Sequence, residues 1–180
     1  DVIDEAGEVV WSTFAVNEVS VEKGARERMI EVVVKVNERP LSRWACDGVL
    51  VATPTGSTAY TFSAGGPVVW PGVEAMLMVP LSAHALFSRP MVFPPETVLD
   101  VELLSTVPET EAIIWCDGRR SAPVIGGQRV RVTAGRHRLL LARLGHSSFT
   151  DRLVRKFGLQ VEGLRGVGEK RLAKPNRNNP

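Results

Sequence analysis

Short runs of β-branched and other apolar residues, separated by turn residues, recur along most of the chain. Such closely spaced runs are typical of β-strands, and they favour a mainly β fold over repeated βαβ units. The predicted strands are residues 9–21 with a break at Asn17 and Glu18, 29–36, 41–45, 48–52, 75–80, 98–104, 112–116, 130–133 and 138–144. We therefore predict a distorted, multi-stranded β-sandwich, with a hairpin turn at residues 37–40.

Two short helices interrupt this β pattern. The first is predicted to begin near Thr58 and to end at the Gly65-Gly66-Pro67 stop signal. The second is predicted over residues 148–157, because a serine can cap it, Asp151 falls in its first turn and basic residues lie near its carboxyl end. Its apolar residues share one face, so we expect this helix to pack on the sheet.

Composition narrows the possible functions. The 180 residues are 44% hydrophobic, enough for one sizeable core, and 22 basic against 20 acidic residues leave a net charge of +2. This balance does not favour nucleic-acid binding, and no apolar run of about 18 residues predicts a membrane span. The two cysteines, Cys46 and Cys116, lack a metal-binding spacing and are predicted to be buried free thiols, as in a reducing cytoplasm.

The ends of the sequence bear on domain organisation. The chain starts with an acidic segment that has neither an initiator methionine nor the form of a signal peptide, so we expect it to begin within a longer protein. Residues 1–162 are predicted to form one β-rich domain. Residues 163–180, which are dominated by Lys, Arg, Asn, Gly and Pro, are predicted to be a flexible basic tail.

A hydroxyl-rich loop follows the apolar strand predicted at residues 48–52. It reads Thr-Pro-Thr-Gly-Ser-Thr-Ala-Tyr from Thr53 to Tyr60. Clustered hydroxyls and backbone N–H groups at a helix start suit a ligand rich in ribose and phosphate oxygens. The same residues also fit an ordinary helix cap, and the loop alone favours the cap.

The adjacent polar residues Asn17 and Glu18 interrupt a β-type run. On a strand they would point to opposite faces, so one of them would be buried unless the chain bends there. A carboxylate beside an amide can hold a ribose diol, with Glu18 accepting both hydroxyl protons and Asn17 bridging. A β-bulge or an exposed strand edge explains the pair equally well.

The order of these motifs resembles the NAD kinase family, whose members phosphorylate NAD to NADP. The series is Asn-Glu, Asp-Gly, TPTGSTAY, SAGGP, a histidine and Arg-Pro, beginning here at Asn17, Asp47, Thr53, Ser63, His84 and Arg89. The resemblance extends from about Phe14 to Phe157, and TPTGSTAY followed by SAGGP is its most specific part. It implies the β-rich carboxyl-terminal domain of a two-domain kinase, which Cys116-Asp117-Gly118 and the second helix also fit.

The resemblance implies roles for individual residues. Asn17 and Glu18 would hold the adenosine ribose of NAD and present its 2′-oxygen, while Asp47 would contact NAD bound to a neighbouring subunit. The other residues expected to bind the substrate are Arg28, Thr58, Ala59, Tyr60, Thr61, Ser63, His84 and Arg119. In this family the base is the aspartate of a Gly-Gly-Asp-Gly motif that this sequence lacks. We therefore expect the base upstream of Asp1, and expect this chain alone to be inactive.

Two positions depart from the family pattern. Ala45 stands where many members have arginine or histidine, so the contact made there is expected to be lost. Arg119 stands where glutamine is frequent, and its guanidinium can pair with a phosphate. Such a pair would bias the site toward a different phosphoryl donor or toward feedback by the product.

The resemblance also implies cofactors and partners. NAD would be the substrate, ATP or polyphosphate would be the phosphoryl donor, and magnesium would arrive with the donor's phosphates. The three histidines show no metal-ligand spacing, so we expect no metal site of the chain itself. The assembly implied is a cytoplasmic homodimer or homotetramer, without a nucleic-acid or membrane partner.

Three other functions stay open at this point. A related diacylglycerol- or sphingosine-type lipid kinase shares the two-domain plan, but its β-domain would need an apolar pocket for acyl chains. A non-catalytic nucleotide-sensing module would bind the dinucleotide without a base. A purely structural β-domain is disfavoured by the number of matched motifs.

Overall fold

The computed structural model describes residues 1–24, 28–105, 111–137, 139–140, 142 and 147–161, in which twelve strands form two six-stranded sheets. The strands are β1 (Val2–Ile3), β2 (Val9–Trp11), β3 (Glu18–Lys23), β4 (Ile30–Val36), β5 (Arg39–Cys46), β6 (Gly48–Ala52), β7 (Met76–Leu81), β8 (Met91–Phe93), β9 (Leu99–Leu103), β10 (Glu111–Cys116), β11 (Arg120–Ile125) and β12 (Arg129–Val132). The first sheet has the order β2-β1-β12-β9-β4-β5, and the second has the order β11-β10-β3-β6-β7-β8.

One hydrophobic core joins the two sheets. Along β4, Ile30, Val32 and Val34 are buried and alternate with partly exposed residues, as expected for a strand with one face in a core. They share a cluster with Val49 and Val51 of β6, which belongs to the second sheet. The predicted β-sandwich is therefore confirmed.

The central strands β6 and β7 are buried on both faces. Every residue of β6 is buried, and so is each residue of β7 except the last. On the face turned away from the main core, Ala52 and Leu77 pack with Val69, which comes from the segment after the hydroxyl-rich loop. The second sheet is thus covered on its outer side where this loop leaves β6.

Two hairpins turn through pairs of residues with positive φ. Asn37 and Glu38 have φ values of 49° and 66° between β4 and β5, so this prediction of a turn is confirmed. Asp117 and Gly118 have φ values of 53° and 63° between β10 and β11. Paired positive φ values are the mark of the type I′ turn, for which Asn-Gly and Asp-Gly are favoured sequences.

The helices lie where the sequence predicts them. A 3₁₀ turn at Gly56–Thr58 leads into α1 (Tyr60–Ser63), and α2 covers Phe149–Phe157. The Ser148 hydroxyl and the Asp151 carboxylate form a capping box at the start of α2, as predicted. Among the described residues no helix has the length and apolarity needed to span a membrane. Cys46 and Cys116 are buried free thiols, also as predicted.

Residues beyond the sandwich form a separate unit. The chain divides into residues 1–139 and residues 140–180, and α2 belongs to the second unit. The domain boundary at residue 162 and the packing of α2 on a sheet stay predictions. In the predicted strand at 138–144, residues 139, 140 and 142 are not in a strand and the others lie outside the described residues, as does the tail at 163–180.

A buried ion pair links two strands of the first sheet. The Asp100 carboxylate on β9 is fully buried and accepts hydrogen bonds from Nε and Nη2 of Arg131 on β12, at 2.8 and 3.0 Å. The Asp100 carboxylate raises the pKa of Arg131. The two hydrogen bonds from Arg131 offset the free-energy cost of burying the Asp100 charge.

Replacing Arg131 by methionine should destabilise the sandwich, because the Asp100 charge would stay buried without its partner. We expect the free energy of unfolding to fall by about 3 kcal/mol in urea denaturation. Arg43→Met is the matched control, since the Arg43–Glu31 ion pair is exposed and should be worth about 1 kcal/mol or less. Equal losses in the two variants would contradict the prediction.

Candidate functional site

Three strands of the second sheet bring the predicted polar motifs together at one end. β3 begins at Glu18, which pairs with Ala52 at the end of β6, and the next residue of β3 pairs with Cys116 at the end of β10. Because the pairing is antiparallel, the start of β3 lies beside the ends of both neighbours. Thr53 and Asp117, which follow those ends, therefore flank the chain where it enters β3.

The chain entering β3, which we call the Asn17–Glu18 corner, is bonded on both sides. Thr53 donates from Oγ1 to the Val16 carbonyl oxygen at 2.6 Å and from its backbone N–H to the Asn17 carbonyl oxygen at 2.9 Å. The Asp117 carboxylate accepts from the backbone N–H groups of Val16 and Asn17, at 2.9 and 2.7 Å. The chain bends at Val16 and Asn17, and the backbone polar groups of this bend are satisfied.

Much of the hydroxyl-rich loop is used to build the loop itself. Thr53 Oγ1 accepts from the Gly56 backbone N–H at 3.1 Å. The Ser57 side chain is buried, donates to the Pro54 carbonyl at 2.6 Å and accepts from the Val69 backbone N–H at 3.0 Å. Thr53 and Ser57, which are not among the residues expected to bind the substrate, thus have their hydrogen-bonding groups bound internally.

The Glu18 carboxylate is held at the corner and is partly desolvated. It lies near the Tyr60 backbone N–H at the start of α1, which favours the ionised carboxylate. Its Oε2 atom is buried and has no hydrogen-bond partner among the described residues. Burial raises the pKa of Glu18, the negative charge of Asp117 raises it further, and the Tyr60 N–H opposes both effects. Glu18 thus has an acceptor oxygen to spare.

Tyr60 lies beside this carboxylate with its side chain 41% exposed. Burial of the ring raises the pKa of its hydroxyl, and the charges of Glu22, Asp47 and Glu18 raise it further. Glu18 and Glu22 share one face of β3, because residues two apart on a strand point the same way. The Tyr60 hydroxyl therefore lies near the acidic outer face of β3, where it can donate to a ligand.

The other predicted residues of this segment differ in accessibility. Thr58 and Ala59 are half-buried and Ser63 is exposed, so each offers some surface to a ligand. Thr61 is fully buried, and its Oγ1 has no hydrogen-bond partner among the described residues. Thr61 packs closely beneath Gly66, and its role in binding the substrate stays a prediction.

Asp47 and His84 form a second group at the opposite end of β6. Asp47 pairs with Lys23 at 2.6 Å, and Lys23 and His84 both lower its carboxyl pKa, Lys23 through the stronger effect. The backbone N–H of His84 donates to the Ala45 carbonyl at 2.8 Å. At about 3.3 Å per residue, Asp47 lies about 17 Å along the strand from Ala52, which adjoins the corner. Asp47 and the corner thus lie at the two ends of β6, and the Tyr60 hydroxyl lies where the charges of both Asp47 and Glu18 act on it.

The two predicted arginines are both exposed. Arg119 follows the Asp117-Gly118 turn, so it lies at the same end of the sheet as the corner. Arg28 stands just before β4 in the first sheet. No described hydrogen bond or ion pair brings Arg28 to the corner, and its predicted role stays a prediction.

Sequence reasoning missed the structural role of Asp117. Asp-Gly after an apolar run is a strong hairpin signal. It therefore indicates a return strand, β11, which the sequence analysis did not predict. Pro123 within β11 obscured that strand, although proline is compatible with the edge position that β11 occupies.

Residues 16–144 match the family described as the ATP-NAD kinase C-terminal domain. An NAD kinase of Cutibacterium acnes is 56% identical over 164 residues, which are 91% of this chain and 51% of that protein. NAD kinase 2 of Streptomyces coelicolor is 53% identical over 166 residues, which are 92% of this chain and 54% of that protein. The chain thus spans about half the length of the curated relatives it matches.

Two solved structures share this fold. The crystal structure of an NAD kinase from Archaeoglobus fulgidus in complex with ATP has a TM-score of 0.60 and 33% identity, covering 68% of this chain and 46% of that one. The crystal structure of yeast NADH kinase complexed with NADH has a TM-score of 0.66 and 30% identity, covering 73% of this chain and 38% of that one.

Gly56→Ala tests the close approach of the loop to the corner. A Cβ at Gly56 would lie 2.0 Å from the Asn17 carbonyl oxygen, so the loop and the corner would have to separate. We expect the free energy of unfolding to fall by about 1–3 kcal/mol in urea denaturation. Gly72→Ala is the control, because its Cβ would meet no atom within 4 Å, and it should be neutral. A Gly56→Ala variant as stable as the control would refute this account of the corner.

Glu18→Gln should stabilise the unliganded chain at neutral pH. The raised pKa of Glu18 means that its ionised form destabilises the fold, fully above the folded-state pKa and less as the pH falls through that value. Removing the charge should raise Tm at pH 7 by about 2–4 °C, which corresponds to about 1 kcal/mol. The gain should shrink as the pH falls through the raised folded-state pKa and vanish below about pH 4, where Glu18 is protonated in both states. A Tm that falls at pH 7 would show that the carboxylate is not under electrostatic strain.

Proposed function

Because the chain belongs to the NAD kinase family and matches the carboxyl-terminal domain of that family, we propose that it is the NAD-binding half of an enzyme that makes NADP. The reaction transfers a phosphoryl group from ATP or polyphosphate to the 2′-hydroxyl of the adenosine ribose of NAD. The chain spans about half of its curated relatives, and we place the base outside these 180 residues, since the sequence contains no Gly-Gly-Asp-Gly motif.

The spare acceptor oxygen of Glu18 is the observation that carries this proposal. A buried carboxylate oxygen without a partner costs free energy, and a ligand hydroxyl that donates to it would remove that cost. The neighbouring Asn17 amide, which offers a donor and an acceptor, forms no side-chain hydrogen bond within the described residues. A vicinal diol with two hydroxyls, as in ribose, matches such a carboxylate and amide pair.

Tyr60, with Thr58, Ala59 and Ser63, extends this ribose site along the loop. The exposed Tyr60 ring can stack on a planar group, and its hydroxyl can donate to an oxygen of the dinucleotide. The half-buried Ala59 has a methyl side chain, which lets a ribose or ring approach the backbone closely. The yeast relative was solved with NADH, which supports a dinucleotide in the corresponding half of this protein.

The contribution of this chain to catalysis is to orient the ribose of NAD, whose 2′-hydroxyl accepts the phosphoryl group. Phosphoryl transfer depends on positioning and charge neutralisation more than on covalent participation by the protein. Fixing the ribose by Asn17 and Glu18 would hold the 2′-oxygen for attack by restricting its translation and rotation. The catalytic base, the phosphoryl donor and its metal would approach the 2′-oxygen from groups that are not part of the Asn17–Glu18 corner.

The donor and its metal are further parts of the proposal. The Archaeoglobus fulgidus relative was solved with ATP, which supports ATP as donor, and exposed Arg119 is placed to attract a donor phosphate or the product. Within the described ranges, no three His, Cys, Asp or Glu side chains cluster in a way that could hold a metal ion. We therefore assign magnesium to the donor's phosphates rather than to these residues.

Asp47 is proposed to act across a subunit boundary. It lies at the opposite end of β6 from the Asn17–Glu18 corner, and its partly exposed carboxylate can meet a partner. For His84, the predicted contact with the substrate stays a prediction. We propose a cytoplasmic homodimer or homotetramer in which Asp47 contacts NAD bound to the neighbouring subunit. A lipid-kinase function is less well supported, because the corner presents polar groups to its ligand where acyl chains need an apolar pocket.

Formation of NADP by the protein expressed from its complete reading frame tests the function. With NAD and either ATP or polyphosphate, we expect product, and Asn17→Ala should lower kcat/KM for NAD by about 10- to 100-fold through loss of ribose hydrogen bonds. Asn37→Gly, in the β4–β5 turn, is the control and should leave KM for NAD unchanged, since glycine keeps the positive φ there. No NADP from folded wild-type protein would overturn the proposal and favour a sensor or lipid kinase.

A further inference from the structure

We infer that Asp117, together with Thr53, is a positioning residue that holds the Asn17–Glu18 corner in the geometry needed to bind the ribose. This inference rests on the proposed function and names residues that act through the corner without touching the substrate. Its basis is a set of hydrogen bonds between the backbone of the corner and two residues that follow other strands of the second sheet, Thr53 after β6 and Asp117 after β10.

The Asp117 carboxylate accepts hydrogen bonds from the backbone N–H groups of the corner. Its Oδ1 accepts from the Asn17 N–H at 2.7 Å and from the Val16 N–H at 3.0 Å, and Oδ2 accepts from the Val16 N–H at 2.9 Å. The Glu18 N–H lies 3.4 Å from the same Oδ1. Hydrogen bonds from N–H groups to an ionised carboxylate are shorter and stronger than neutral ones. One side chain thus holds the backbone on both sides of Asn17.

Thr53 holds the carbonyl side of the same peptides. Its hydroxyl and its backbone N–H donate to the Val16 and Asn17 carbonyl oxygens, respectively. The N–H groups of Val16 and Asn17 therefore bond to Asp117, while their carbonyl groups bond to Thr53. The peptide between Val16 and Asn17 therefore has its carbonyl bonded to Thr53 and its N–H bonded to Asp117, and rotation of this peptide would break hydrogen bonds on both sides.

Asp117 is itself fixed. Its side chain is 15% exposed and is paired with Arg120 Nη2 at 2.9 Å, and the Arg120 guanidinium lies over the Phe14 ring at 4.2 Å from the centroid. Its positive φ places it in the type I′ turn between β10 and β11. The Asp117 carboxylate is thus held by its place in the β10–β11 turn and by its ion pair with Arg120. The Arg120 guanidinium in turn contacts Phe14, in the segment that leads into the corner.

The corner needs this support because it lies outside the strand ladder. β3 begins only at Glu18, so Val16 and Asn17 have no regular strand partners. Glu18 carries the spare oxygen and Asn17 carries the free amide, so a shift of this backbone would move both ribose-binding groups. A misplacement of about 1 Å in such a site can cost about 100-fold in rate.

Asp117→Asn is the discriminating variant, because the amide keeps one acceptor oxygen and the size of the side chain but loses the charge and the second acceptor. Asp4→Asn is the matched control, since Asp4 Oδ1 also accepts a backbone N–H, from Glu8 at 2.8 Å, beside the first sheet. Both variants should be prepared from the complete reading frame and compared by Tm.

Two measurements test the inference. In hydrogen exchange without ligand, Asp117→Asn should speed exchange at the N–H groups of residues 16–18 by about 10-fold or more, while Asp4→Asn leaves them unchanged. In steady-state kinetics, Asp117→Asn should raise KM for NAD by about 10- to 100-fold and leave KM for ATP unchanged. Asp117→Glu, which restores the charge, should recover part of the loss.

The outcomes separate this inference from the proposed function. If wild-type protein makes NADP and Asp117→Asn changes neither exchange nor KM for NAD, the inference is overturned and the proposed function stands. Equal losses toward NAD and ATP with a lowered Tm would also overturn it, by showing a general structural role. If wild-type protein makes no NADP, the proposed function fails and the positioning role falls with it, whatever the exchange measurement shows about the bonds.

Discussion

The register of β3 between β6 and β10 is the constraint on which the candidate site depends. It sets Glu18 opposite Ala52 and the following residue opposite Cys116, so the segments that leave both neighbouring strands meet the start of β3. A slip of one residue would turn the face that carries Glu18, Ser20 and Glu22 toward the core. Val21 of β3 is buried with its strand partners Val49 and Ile114, and this packing opposes such a slip. The hydrophobic core thereby fixes a polar site that it does not contain.

The Glu18 carboxylate shows how stability and function conflict at this site. An acceptor oxygen that is buried without a partner, beside the charge of Asp117, weakens the unliganded fold. Such an arrangement persists where a ligand supplies the missing hydrogen bond. Asp117 adds to the unfavourable charge and also holds the backbone in place, and its pairing with Arg120 reduces the repulsion that Glu18 experiences.

Much of the fold could be predicted from local pattern. The strand at Gly48–Ala52 and the capped helix at Phe149–Phe157 follow from an apolar run and from a serine with an acidic first turn. The short strands β1 and β8, of two and three residues, have too little periodicity to be predicted, and β11 contains a proline. These strands exist because longer neighbours offer them hydrogen-bonding edges, which is a tertiary effect.

The site could be predicted only in part, because its residues are joined by contacts of long sequence separation. The Asn17–Glu18 pair and the hydroxyl-rich loop are visible in the sequence, yet the hydrogen bonds from Asp117 to the corner span about 100 residues. The sequence left open whether the hydroxyls of this loop face a ligand or the backbone, and the fold uses those of Thr53 and Ser57 to build the loop and the corner. Serine and threonine bond to nearby backbone as readily as to a substrate, so burial and partner atoms must decide between the two uses. Here they assign Thr53 to the support of the corner, and leave Glu18, Asn17 and Tyr60 as the residues that we propose meet the ligand.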